Sequence, residues 1–166
     1  MLPNETFAPT DMRYGKVTTD NDGGLVRFGV NSKSLGASLV NTTFYTTMSN
    51  DEAIKAAANL YNISVWKPMQ GDLLTSQRVA SKIFDMAVNQ GVHEAAKLAQ
   101  RAALVQVDGV IGPITVATIN SIDENQMLKS LVTEWIWFIG LVIENHPEYV
   151  SYKEDWTARA EKLPVA

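Results

Sequence analysis

From Ser49 onward, apolar residues recur at the spacing of a helix face, and before it they do not; this change of period constrains the fold more than any other feature of the chain. Ser49-Asn50-Asp51-Glu52 has the S-x-x-E form in which a hydroxyl and a carboxylate cap a helix start reciprocally, and Ala53, Ala56, Ala57, Leu60, Tyr61 and Val65 follow on one face. Pro68 should end that helix, because the residue before a proline is pushed out of the α region. Thr75 is the expected cap of a second helix, with Val79, Ile83, Met86 and Val88 as its apolar face and Gly91 as its stop. A third is expected over His93 to Leu104, a fourth from Pro113, a long fifth from Asp123 to about Glu144, and a last from Pro147 with Tyr149, Tyr152, Trp156 and Leu163 turned inward. Between the third and fourth, VQVDGVIGP carries the turn dipeptides Asp108-Gly109 and Gly112-Pro113 around a short extended piece.

Residues 1 to 47 instead gather Thr, Asn, Asp and Gly around short alternations such as RFGV, the pattern of loops and a small hairpin. The chain therefore reads as α+β, mainly α: a single domain over 1–166, with a loop and β-hairpin lobe at 1–48 and a helical body at 49–166. At 166 residues it can bury roughly 70% of its unfolded surface without staples.

Several chemistries are excluded or disfavoured. Zero cysteines remove disulfides, thiolate metal sites and a cysteine nucleophile. A net charge of −4 is a poor match for nucleic acid, which needs clustered Lys and Arg to displace counterions. His93 and His146 lack metal-ligand spacing, and there is neither a phosphate loop nor a G-x-S-x-G elbow, so no metal and no cofactor are expected. The N-terminus MLPNETFAPT has no basic region followed by an apolar one, so no secretory signal is expected. The run Leu131 to Ile143 carries Glu134 and falls short of about 20 spanning residues. It is expected to form a core helix with Trp135, Trp137 and Phe138 as packing residues, rather than to insert stably in a membrane.

Four phrases occur in order: DNDGGLVRFGVN at 20–31, WKPMQGDLL at 66–74, IFDMAVNQG at 83–91 and RAALVQVDGVIGPITVATIN at 101–120. Together they resemble the N-acetylmuramidases of glycoside hydrolase family 108, lysozyme-superfamily enzymes found as phage endolysins and secretion-associated muramidases. The resemblance spans about residues 11 to 163, with 92–163 similar to a peptidoglycan-binding subregion. It implies a lysozyme-like fold and hydrolysis of the β-1,4 bond between N-acetylmuramic acid and N-acetylglucosamine in bacterial peptidoglycan. The protein would then be made in a bacterial cytoplasm and act in the periplasm or wall. Gly23, Gly24, Phe28, Gly29 and Val30 match the second half of the family motif, Asp20 and Asp22 fall in its acidic loop, and Arg13 and Tyr14 fit the residues after its glutamate. That glutamate falls near Asp11 or Met12, and the threonine after the double glycine is Val26.

Glycoside hydrolysis needs one carboxylic acid to protonate the leaving oxygen and a second carboxylate to activate water or stabilise positive charge. Asp11, or Glu5, is the candidate acid; Asp20 or Asp22 is the candidate second carboxylate, although both are also what a Gly-Gly turn favours on its own account. Candidate substrate contacts are Tyr14, Phe28, Trp66, Asp85, Asn89 and Gln90. Trp66 is by type more often a core residue, and Asp85 and Asn89 are equally buttresses of their helix. The rival readings are a catalytically degenerate relative that binds glycan or a protein partner, and a helical adaptor without sugar affinity.

Overall fold

The computed structural model describes residues 15–20, 23–33 and 40–165. Its backbone contacts fall into two compact units, Met1–Ser64 and Val65–Ala166.

In the first unit, β1 (Thr18–Thr19), β2 (Leu25–Arg27) and β3 (Val30–Asn31) form an antiparallel sheet in that order, so the expected hairpin is two hairpins in succession. The first turn is closed by Gly23 N–H donating to the Asp20 carbonyl at 2.9 Å and Asp20 N–H donating to the Gly24 carbonyl at 2.8 Å. Gly23 has φ +76°, a left-handed conformation that glycine adopts without penalty. In the second, Arg27 pairs with Val30, leaving a two-residue loop of Phe28 and Gly29 at φ +49° and +76°. Two successive positive φ values give the mirror-image turn whose twist matches the flanking strands. Phenylalanine in that first position carries backbone strain of about 1 kcal/mol or more. Burial of its ring against Val30, Phe44, Ala53, Ala57 and Leu60 offsets that strain.

Two helices complete this unit: α1 (Thr43–Thr46), a single turn with no sequence signal, and α2 (Asn50–Tyr61). The capping box forms as expected: Ser49 Oγ accepts from Glu52 N–H, and Glu52 Oε2 accepts from Ser49 N–H at 3.1 Å. The chain then tightens into a π-helical turn, Asn62–Trp66, just before Pro68.

The alternation of β2 turns Arg27 inward, to 6% exposure. Its Nε donates to the Gly15 carbonyl (3.0 Å), Nη1 to the carbonyls of Phe44 (2.5 Å) and Met48 (2.8 Å), and Nη2 to Asn50 Oδ1 (2.7 Å). One guanidinium thus joins the start of the sheet, the end of α1 and the start of α2. Gly15 lies so close to Asn50 that a Cβ there would overlap the amide.

The second unit opens with a 3-10 turn, Gly71–Leu73, followed by α3 (Gln77–Gln90), α4 (Val92–Ala102), α5 (Pro113–Ser121), α6 (Glu124–Asn145), a second 3-10 turn (Pro147–Tyr152) and α7 (Lys153–Glu161). α6 packs against α3, α4 and α7. The cap of α3 is Ser76 rather than Thr75: Ser76 Oγ accepts from Val79 N–H at 3.1 Å and donates to Glu124 Oε2 at 2.6 Å, while Thr75 N–H is held by Asn120 Oδ1 at 2.9 Å. Gly91 stops α3 with φ +86°, and Asp123 caps α6 by accepting from Asn125 and Gln126 N–H.

The turns of VQVDGVIGP are bound by Gln100 rather than by a neighbouring strand. Two expectations need correction here. The apolar run near Leu131 belongs to a 22-residue helix that is long and apolar enough to cross a membrane by length and composition, since it starts at Glu124. Its inner face is Met127, Leu128, Leu131, Trp135 and Ile139, whereas Trp137 is 46% exposed with the Arg101 guanidinium 4.1 Å from its ring centroid, so only part of the expected packing holds. Finally, Tyr149, Tyr152 and Leu163 are exposed rather than inward. Every residue of the 3-10 turn Pro147–Tyr152 is exposed, so the aromatic spacing there marks no inward face, and Leu163 lies beyond the end of α7.

Lys82 is fully buried at the end of α7. Its Nζ donates to the carbonyls of Ala160 (2.7 Å) and Lys162 (2.9 Å) and lies 4.6 Å from the Trp135 ring centroid. It therefore satisfies acceptors that the helix end leaves unpaired, where the helix dipole favours a cation. Burial nevertheless pulls its pKa from 10.5 down to about 8, against the opposing attraction of Asp85.

Arg27→Met should cost about 2 to 4 kcal/mol in urea unfolding, because it strands buried acceptors; an unchanged midpoint would exclude the clamp. For Lys82 the sign follows from proton binding. Between about pH 8 and 10.5 the unfolded chain holds this proton and the folded chain has released it, so this group's contribution to stability rises with pH. The gain in unfolding free energy between pH 7.5 and 9.5 should therefore be smaller in Lys82→Met than in the parent chain.

Candidate active site

The acidic hairpin is the part of the motif whose geometry is described. Asp20 is exposed, and its Oδ2 accepts from Asn31 Nδ2 at 3.0 Å. Asn31 Oδ1 in turn accepts from Lys33 N–H at 2.8 Å, and Ser32 Oγ accepts from Leu25 N–H at 2.8 Å. The strand after the second turn thus holds a carboxylate of the first turn at the solvent boundary. Asp11, Asp22, Glu5 and Tyr14 lie outside the described residues. Phe28 is in the core of the first unit, with the Arg27 guanidinium 5.7 Å from its ring centroid, so what the ring supplies here is packing.

In the second unit, Trp66 is half-buried and fixed in orientation. Its Nε1 donates to Asp72 Oδ1 at 2.8 Å, its ring meets Phe84 edge-on at 6.1 Å, and Gly71 lies so near the indole that a Cβ would overlap it. Asp85 and Asn89 come together as their spacing requires: Asn89 Nδ2 donates to the Asp85 carbonyl at 2.7 Å. Asp85 Oδ1 also accepts from Arg159 Nη2 (2.9 Å) and Nε (3.2 Å), which ties α3 to α7. Gln90 follows at the helix end, where its Nε2 is shielded from solvent with no hydrogen-bond partner among the described residues, a donor that a ligand carbonyl could satisfy.

The D-G-x-x-G-P loop is built around Gln100, itself almost fully buried. Its Nε2 donates to Asp108 Oδ1 (2.6 Å) and the Val110 carbonyl (3.0 Å), while its Oε1 accepts from Asp108 N–H (3.0 Å) and Gly109 N–H (2.8 Å). The Gln100 amide, and then Val110 N–H, hold the Asp108 carboxyl below its usual 3.8. His93 Nδ1 lies 3.1 Å from the Gly109 oxygen, and a Cβ on Gly109 would overlap the imidazole. No cluster of three or more side chains suited to hold a metal ion occurs among the described residues.

The sequence reading missed Arg27 and Lys82, both buried cations bound mainly to backbone oxygens. The available signals were weak: an arginine at an inward position of a short alternation, and a lysine inside the apolar face of α3.

A small antiparallel sheet with an exposed acidic turn in the first unit and a mainly helical second unit are the elements of a lysozyme-like α+β fold. Residues 13–91 match the model of glycosyl hydrolase 108, and residues 94–161 match that of a predicted peptidoglycan domain. Ten chains of solved structures match; among them Brucella abortus SagA superposes with a TM-score of 0.63 at 23% identity over 88% of this chain and 86% of that one, which shows a shared fold. No curated protein matches. The chain therefore joins a region similar to glycosyl hydrolase 108 to one similar to a predicted peptidoglycan domain, a pairing that supports a peptidoglycan hydrolase of the muramidase type.

Because the folded Asp108 carboxyl titrates below 3.8, its contribution to stability is complete above that pH and is lost as pH falls through the lower folded value. The drop in melting temperature on acidification below pH 3.8 should be smaller in Asp108→Asn than in the parent chain; an equal drop would show that the loop does not depend on this charge.

Proposed function

We propose that this chain hydrolyses the β-1,4 bond between N-acetylmuramic acid and N-acetylglucosamine, with Asp11 as general acid and a carboxylate of the acidic hairpin, Asp20 or Asp22, as its partner. Glu5 is the alternative acid. The acid donates its proton to the leaving glycosidic oxygen, and water, activated or preceded by the second carboxylate, adds to the anomeric carbon. The observation that carries this reading is the exposed Asp20 carboxylate, oriented by Asn31 in the region matched to the family. Asn89, Gln90 and Trp66 are the groups proposed to contact the sugar. The setting we propose is bacterial: synthesis in the cytoplasm, passage by an endolysin-like or secretion-associated route, and action in the periplasm or wall, on glycan rather than nucleic acid or lipid.

A second reading, a degenerate muramidase that retains glycan binding without cleavage, is favoured by Asp11 at the glutamate position and by Val26 where the family motif has a hydroxyl. The two separate by reducing-end release from purified peptidoglycan. Asp11→Asn should abolish release, and Asp20→Asn should lower it. Asp11→Glu should raise it by about 100-fold, because a carboxyl misplaced by about 1 Å carries a penalty of that size. Folded protein that sediments with walls and releases nothing, with Asp11→Glu equally silent, would leave the binding reading standing. Retained release in Asp11→Asn with loss in Glu5→Gln would move the acid to Glu5.

A further inference from the structure

The 3-10 turn Pro147–Tyr152 and α7 carry a surface feature that neither the acidic hairpin nor the helical core uses. A 3-10 helix turns once in three residues, so Tyr149 and Tyr152 fall on one line; His146 is the cap just before the turn, and Trp156, four residues beyond Tyr152, follows once the chain has become α-helical. The rings meet accordingly. His146 and Tyr149 lie 5.5 Å apart at 32°, Tyr152 and Trp156 stack at 5.6 Å and 15°, and Tyr149 meets both members of that stack at 61° and 63°. Tyr149 and Tyr152 remain 39% and 45% exposed. The stacked pair Tyr152–Trp156, with Tyr149 set across it and His146 tilted against Tyr149, therefore forms an open aromatic corner.

We propose that this corner is a glycan-binding subsite that holds the neutral N-acetylated sugar rings of a peptidoglycan strand through their apolar C–H faces, apart from the cleavage site. The proposal rests on the peptidoglycan hydrolase reading for its ligand class, and the corner lies within residues 94–161, matched to the predicted peptidoglycan domain. Charge selects among occupants. Along residues 144–156, Glu144, Glu148, Glu154 and Asp155 are exposed against one lysine, Lys153, a local balance that disfavours anionic lipid headgroups and phosphate-rich polymers and tolerates an uncharged saccharide. Aromatic rings stack with flat apolar faces whatever the substituents at the rim, which suits a long repeating strand. His146 Nδ1 lies 3.3 Å from Glu148 Oε1, so the imidazole at the end of the row is oriented by a neighbour rather than free to turn.

The test is retention on insoluble purified peptidoglycan, beside cleavage of short soluble glycan fragments, for the parent chain and for Tyr149→Ala/Tyr152→Ala, both exposed positions outside the core. The double variant should bind the insoluble wall about tenfold more weakly and cleave the short fragments at the parent rate. Tyr149→Phe/Tyr152→Phe should bind as the parent does, because the ring and not the hydroxyl is invoked. Unchanged retention of the alanine variant would overturn the subsite. So would binding of the parent to phosphatidylethanolamine/phosphatidylglycerol vesicles that is lost in the alanine variant while wall retention persists. If the parent cleaves nothing but the alanine variant loses retention, the subsite stands and the hydrolase reading falls; cleavage with unaffected retention has the opposite meaning.

Discussion

A guanidinium taken out of water is tolerated only where oxygens replace its hydration, and Arg27 meets that condition with three backbone carbonyls and one amide oxygen. The consequence runs outward through the first unit. Because these acceptors come from Gly15, the end of α1 and the start of α2, the sheet cannot move relative to the helices without stranding a buried charge. The strained Phe28 turn follows directly from Arg27 in sequence, and its ring is covered by the same core. The acidic turn at Asp20 to Gly24 hangs on the other end of β2, so the carboxylate proposed for chemistry inherits its position from a side chain that performs none.

The second unit uses the same device twice. Lys82 satisfies the carbonyls at the end of α7, and Gln100 satisfies both the donors and the acceptors of the D-G-x-x-G-P loop. In each case one long polar side chain, buried by the helix that carries it, organises a segment with too little apolar surface to fix itself. α7 is further held by the Asp85 pair with Arg159, which gives the acid on α3 a structural partner. The aromatic corner at Tyr149, Tyr152 and Trp156 is thus presented from a segment whose far end is pinned by Lys82.

Where local chemistry decides, the sequence was readable. The Ser49 capping box, the Gly91 stop, the Asp123 cap and the helical period from residue 49 onward all appear in the structure, because each depends on residues within one turn of one another. Errors arose where a distant partner took over or where an apolar spacing met no neighbouring element. Asn120, 45 residues away, occupies Thr75 and leaves the cap to Ser76. The 3-10 turn after Pro147 is exposed on every side, so its regularly spaced rings face no core. Arg27 was legible only as a polar interruption in RFGV, since its acceptors lie 12 to 23 residues away. Of the candidate site, the pairing of Asp85 with Asn89 followed from spacing; the anchoring of Asp20 by Asn31 needed the sheet register to become visible.

The central claim is that the chain breaks one particular bond of the glycan, and the identity of the new chain ends tests it most directly. Purified peptidoglycan digested with the protein in water labelled with heavy oxygen should yield soluble muropeptides ending in reducing N-acetylmuramic acid, each carrying one labelled oxygen at the anomeric position. Products ending in reducing N-acetylglucosamine, anhydro ends without label, or cleavage confined to the stem peptides would contradict it.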